Sequence, residues 1–110
     1  GLLDLDTPVA ELVDWPGVDP AITPAQLLSN SSGLVGLIDD PTYPPYICQY
    51  LAVGDLEDCG RQILTTDLDD ADVVPPDTRF RYGGGQWQAA GALAEAVPGR
   101  SWAELVRTTY

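Results

Sequence analysis

The chain has 110 residues, 17 acids against five arginines, no histidine and a formal net charge of −12, yet 45% of it is hydrophobic. That length and apolar share fit one domain with a core of its own, and the charge argues against nucleic acid and anionic lipid as partners. Without histidine or lysine the chain cannot assemble a Ser–His, Cys–His or Ser–Lys pair or a histidine-bearing zinc site, and we expect neither metal nor cofactor.

Gly1 opens directly into "LLDLDTP", which reads as the middle of a domain rather than a processed start. No leader segment is visible, and no apolar run approaches the ~18 residues that suggest a membrane span. "TPVAELV" (7–13) predicts a helix, with Thr7 as N-cap and Pro8 in the first helical position. "WPGVDP" (15–20) breaks the chain. "TPAQLL" (23–28) predicts a second helix, with Thr23 and Gln26 at capping-box spacing. "SNSSGL" (29–34) follows, and Gly33 can stop that helix. The serines here do not form a nucleophile elbow: the residue two before Ser32 is Asn30, and the segment follows a helix rather than a strand.

Residues 45–53 read as a short apolar helix and 55–64 as a longer one, with Asp55 at its start and acids in its first turn, where the helix dipole favours them. This would put Cys48 and Cys59 on consecutive helices joined near Gly54. Two cysteines cannot complete a four-ligand zinc site, and their spacing is too wide for a C-x-x-C redox motif. A disulfide is the favoured reading, with two buried thiols as the alternative; a disulfide implies an oxidising compartment. Residues 65–80 form an acidic loop ending in Pro75–Pro76. Its Asp67, Asp69, Asp70 and Asp72 suggest calcium, but counted from Asp67 the EF-hand pattern puts Ala71 at position five and Asp72 at position six, so the pattern fails and a solvated loop is expected.

"RYGGGQ" (81–86) then sets a tyrosine before three glycines. Glycine is costly to order, and is used where the backbone takes special dihedrals or approaches another surface closely. The motif reads either as a corner that presents the Tyr82 phenol to a cleft, or as a hinge with a packing tyrosine. It does not fit G-x-G-x-x-G, because position 88 is Gln. Beyond it, Trp87, Ala90, Ala94 and Val97 recur at helical spacing, with Gly91 on the same side and available for a close helix contact. "PGR" (98–100) ends this helix, and "SWAE" (101–104) opens another with a capping box and an apolar face of Trp102, Leu105 and Val106. Both tryptophans are expected in the core. No segment alternates as a strand would, so the fold class is mostly α.

Three stretches, in order, resemble the serine β-lactamase-like hydrolases, a family that spans class C β-lactamases, D-alanyl-D-alanine carboxypeptidases and related esterases. "LLDLDTPVAELVDWPG" looks like its "L-x-L-D-D-P-V-x-x-Y-L-P" stretch, and "ITPAQLLSNSSGL" is similar to "I-T-I-R-H-L-L-x-H-T-S-G-L". "PPDTRFRYGGGQWQAAGALAEAVPGRSWAELV" resembles "P-G-x-x-F-x-Y-S-N-x-x-Y-x-L-L-G-x-I-I-E-x-V-x-G-x-S-Y-x-E-L". Residues 39–74 match least. The resemblance implies acyl transfer through the serine of an S-x-x-K motif, with its lysine and the tyrosine of Y-x-N managing protons. It places Tyr82 at the catalytic tyrosine and Gly84 at the motif's Asn. The loss of that side-chain amide tilts the expectation towards an esterase or peptidase over a β-lactamase. In the family S-x-x-K precedes the first stretch and a K-T-G strand follows the last.

The expectation is therefore that 1–110 is a single helical domain or fragment: the helical region of the β-lactamase/transpeptidase-like fold, lacking most of its mixed sheet. It would be inactive alone, and completed by the remainder of the same enzyme or by a complementing chain carrying S-x-x-K. A small ester, amide or peptide would be the substrate, and the setting secreted or periplasmic. The competing expectation is a non-catalytic binding module or pseudoenzyme that uses an acidic helical surface.

Overall fold

The structure, a computed structural model, describes residues 3–51, 54–66 and 72–109. Helix α1 spans Val9–Leu12, α2 Pro24–Leu28, α3 Leu56–Leu64, α4 Gly84–Ala96 and α5 Trp102–Thr109, with a 3-10 turn over Pro44–Tyr50 between α2 and α3. Among the described residues there is no strand. The predicted helix over 45–53 is this tighter 3-10 turn, which suits a short segment entered through two prolines.

Local chemistry sets most of the helix ends. Thr23 accepts from the Gln26 backbone N–H, and the Gln26 side chain accepts from the Thr23 N–H, closing the capping box that starts α2. Asp55 caps α3 by accepting from the Asp58 N–H at 2.7 Å. Ser101 and Glu104 exchange the same pair of bonds at the start of α5. The expected Thr7 cap is not made: Pro8 is the N-cap of α1 with no side-chain cap, and the Val9 N–H donates instead to the Ile22 carbonyl at 2.8 Å. At the end of α2 the left-handed position falls to Asn30 (φ 58°) rather than Gly33. The Asn30 N–H donates to Leu27 and the Ser31 N–H to Gln26, a Schellman closure made with asparagine.

The core lies between α3 and α4. Ile63 and Leu64 of α3 and Ala89 and Leu93 of α4 are at most 1% exposed, with Val9, Ile22 and Leu27 packed around them. Each large side chain buried this fully contributes about 1.5–3 kcal/mol. The close approach of the two helices depends on Gly60, since a Cβ there would stand 2.2 Å from the Ala92 Cβ. Gly91, the glycine expected to serve this purpose, has 3.5 Å to Leu56 and needs no such relief. Cys48 and Cys59 form a disulfide with Cα atoms 5.6 Å apart, tying the 3-10 turn to α3. Such a short closed loop contributes about 2–3 kcal/mol in the chain-entropy account.

One expectation about the core is overturned. Trp87 and Trp102 are 48% and 51% exposed, and Val106 is exposed as well. The buried face of α4 instead carries Gly85, Gln86, Ala89, Ala90, Ala92 and Leu93. Periodicity identified residues sharing a side of α4, but small residues lie all around this helix, so a neighbour can cover either side.

Candidate active site

Two of the three glycines after Tyr82, Gly83 and Gly85, sit where space rather than dihedrals favours glycine. None of them takes a positive φ. A Cβ on Gly83 would meet the Leu37 nitrogen at 3.1 Å and the Gly36 Cα at 3.2 Å, and one on Gly85 would meet the Tyr46 ring at 3.1 Å. At Gly84 the neighbour is the Gln49 Oε1, 2.6 Å from where a Cβ would sit. The segment 81–85 thus lies flat on residues 36–37 and the 3-10 turn, and the Leu37 N–H donates to the Tyr82 carbonyl at 2.6 Å. This corner is packed, and it is not a slack hinge.

A buried polar network holds the corner from below. Gln86, fully buried in the first turn of α4, accepts from the Ser32 hydroxyl at 2.6 Å and from the Ser32 N–H at 3.3 Å. Its amide donates to the Arg81 carbonyl at 2.5 Å. The Arg81 side chain, 4% exposed, donates to the Gly33 and Asp72 carbonyls and pairs with Asp39 at 2.9 Å. Arg79 pairs with the other Asp39 oxygen. The hydrogen bond from Arg81, helped by the charges of Arg81 and Arg79, holds the Asp39 carboxyl below its ordinary range despite the opposing cost of desolvation. Gly33 joins this network through its backbone: at φ +89° it comes so close to residue 74 that a Cβ would stand 1.9 Å from the Val74 carbonyl oxygen. Ser32 is accordingly a structural hydroxyl, 1% exposed and committed to Gln86.

Above this base the Tyr82 side chain is 45% exposed, its ring edge-on to Trp87 with centroids 5.7 Å apart. Gly83, the N-cap of α4, is fully extended (φ −179°, ψ 146°). A Cβ on Gly84 would point at the Gln49 carboxamide, while the Tyr82 ring leans on Trp87. Trp87 also walls an apolar groove of about 400 Å³, floored by Ala90, Gly91 and Ala94 and closed by Leu28 and Trp102. The Trp87 N–H donates to the Leu28 carbonyl at 3.3 Å. Sequence reasoning did not find Gln86, Arg81 or Gln49. The available signals were a polar residue in the first turn of an alanine-rich helix, and one of only five cations set beside the tyrosine.

Among the described residues no group of three or more acidic or cysteine side chains is arranged to hold a metal ion. Asp67, Asp69 and Asp70 lie outside the described residues, and no described helix is long and apolar enough to cross a membrane.

The family model for Beta-lactamase matches residues 1–109, so the chain belongs to the β-lactamase family of serine hydrolase-like proteins. Among solved structures it is similar to a penicillin binding protein from Bacillus halodurans, with 25% identity and a TM-score of 0.66 over 97% of this chain. It has the fold of part of a D-stereospecific amidohydrolase from Streptomyces sp., with 24% identity and a TM-score of 0.65 over 98% of this chain. The chain spans about a third of each of those proteins, 32% and 34%. No curated protein matches it. The described helices are thus a helical portion of a β-lactamase-like fold.

Proposed function

We propose that the chain is the helical part of a serine hydrolase that cleaves or transfers an ester or amide through an acyl-serine intermediate, with Tyr82 handling protons at the nucleophile. The observation that carries this reading is the Tyr82 corner: an exposed phenol on a backbone held by Leu37, Gln86 and the packed glycines. Preorganisation of that kind is what a proton-transfer group needs. In the first half-reaction the serine oxygen, supplied by the rest of the enzyme, bonds to the substrate carbonyl carbon. Its proton leaves by way of the phenol and lysine, and the departing alkoxide or amine takes up a proton. Water or another acceptor then releases the acyl group. The lysine of that proton path must come from beyond this chain, which has none. The disulfide and the family membership support an extracytoplasmic setting.

The test compares the 110-residue chain with the full-length protein that carries it. Each is incubated with a chromogenic ester and a β-lactam, and acylated serine is sought by intact-mass and peptide analysis. We expect acyl-serine in the full-length protein, on a residue outside 1–110, and none in the short chain. Acylation of Ser31, Ser32 or another serine of this chain, or none in either protein, would overturn the proposal.

A further inference from the structure

We propose that Trp87 is a positioning residue for the acyl transfer: its indole holds the Tyr82 ring in the orientation from which the phenol exchanges a proton with the nucleophile. The inference rests on the proton role proposed for Tyr82 above and names the residue that aims that group. The Tyr82 backbone is fixed, since its carbonyl accepts from the Leu37 N–H at 2.6 Å and the preceding Arg81 carbonyl accepts from Gln86 at 2.5 Å. A fixed backbone still leaves a side chain the choice of staggered rotamers, and that choice decides where the hydroxyl stands. The Tyr82 side chain is half exposed, and among the described residues its hydroxyl has no hydrogen-bond partner. What meets its ring is Trp87, edge-on, with centroids 5.7 Å apart and the planes at 86°. Aromatic pairs favour that arrangement, so the contact selects one placement of the phenol.

Trp87 can aim another ring because it is itself held at both ends. Its backbone lies in the first turn of α4, next to the buried Gln86. Its indole N–H donates to the carbonyl of Leu28, the last residue of α2, at 3.3 Å. A carbonyl at that place has no partner within its own helix, so one bond satisfies the end of α2 and orients the indole. Trp87 is about half exposed and so is no core filler; what it offers is a fixed edge beside the phenol. Trp102 supplies the contrast. It walls the same apolar groove and is equally exposed, yet among the described residues it makes no ring contact with Tyr82. The two tryptophans therefore separate the wall of the groove from the aiming of the phenol.

The experiment uses the full-length protein and follows single-turnover acylation by a chromogenic ester. Trp87→Ala should lower the limiting acylation rate by about tenfold to a hundredfold, with the ester concentration for half-saturation unchanged. Trp87→Phe keeps an aromatic edge and should recover most of that loss. Trp102→Ala should acylate at the wild-type rate. In the double variant Tyr82→Phe/Trp87→Ala the rate should equal that of Tyr82→Phe alone, because no hydroxyl is left to aim. If Trp87→Ala does not fold, Trp87→Leu replaces it, since leucine fills space without offering a ring edge. A wild-type rate without the indole, an equal loss in Trp102→Ala, or losses that multiply in the double variant would each overturn the inference while leaving the acyl-serine proposal standing. A wild-type protein that forms no acyl-serine would remove both.

Discussion

The two sides of α4 are built on different principles. One side is closed: Ala89, Ala92 and Leu93 are buried against α3, and Gln86 is hydrogen-bonded to Ser32 and Arg81. The other is open: Trp87, Gly91 and Ala94 face a groove with buried Ala90 at its floor, and the two tryptophans that wall it are about half exposed. Tyr82 stands where the sides meet, its backbone fixed by the closed side and its ring leaning on Trp87 of the open one. The lesson is that the rigidity of this corner comes from a polar network under it, while the surface it presents is apolar and available.

The comparison predicts where damage should be greatest. Gly33→Val should be the most destructive change, since it needs a left-handed residue to carry a branched side chain into the Val74 carbonyl. We expect a stability loss of about 4 kcal/mol or more by denaturant melting, with the Tyr82 corner lost along with it. A mild effect would mean that the closed side is softer than its contacts imply. Removing the disulfide through Cys48→Ala/Cys59→Ala should cost less, about 2–3 kcal/mol, and should loosen the 3-10 turn while leaving the contact between α3 and α4 intact. Amide exchange measured by turn and by helix would sharpen that division. Uniform loosening would break it.

Acid should act on the closed side through Asp39, and more weakly still. Asp39 has a depressed pKa in the folded chain, so its pairing with Arg81 and Arg79 adds stability that is fully present above the unfolded carboxylate value of about 3.9 and is lost as pH falls through the lower folded value. Melting curves taken between neutral pH and about pH 3 should show part of their decline abolished by Asp39→Asn. A decline identical in the two proteins would take Asp39 out of the network's energetics.

What the sequence revealed follows the range of the interactions. Thr23 and Ser101 were legible as caps, and Asp55 as a helix start, because each bonds within three residues of itself. The disulfide was legible because only two cysteines exist. Gln86 was not, because its partner Ser32 lies 54 positions away and a buried polar side chain leaves no periodic trace. The role of Gly60 was hidden for the same reason, being defined by Ala92 on another helix. Trp87 and Trp102 were misplaced because helical spacing states which residues share a face and not whether anything covers it. The motif resemblance located the tyrosine, and the structure added what supports it and what stands at Gly84.

The proposed chemistry turns on the Tyr82 phenol, and the most direct test removes only its hydroxyl. In the full-length protein, Tyr82→Phe should lower the single-turnover acylation rate by about 10²–10⁴. Tm should be unchanged, because the half-exposed ring and its contact with Trp87 are retained. Acylation at close to the wild-type rate in a folded Tyr82→Phe protein would contradict the account and leave Tyr82 a packing residue at a well-braced corner.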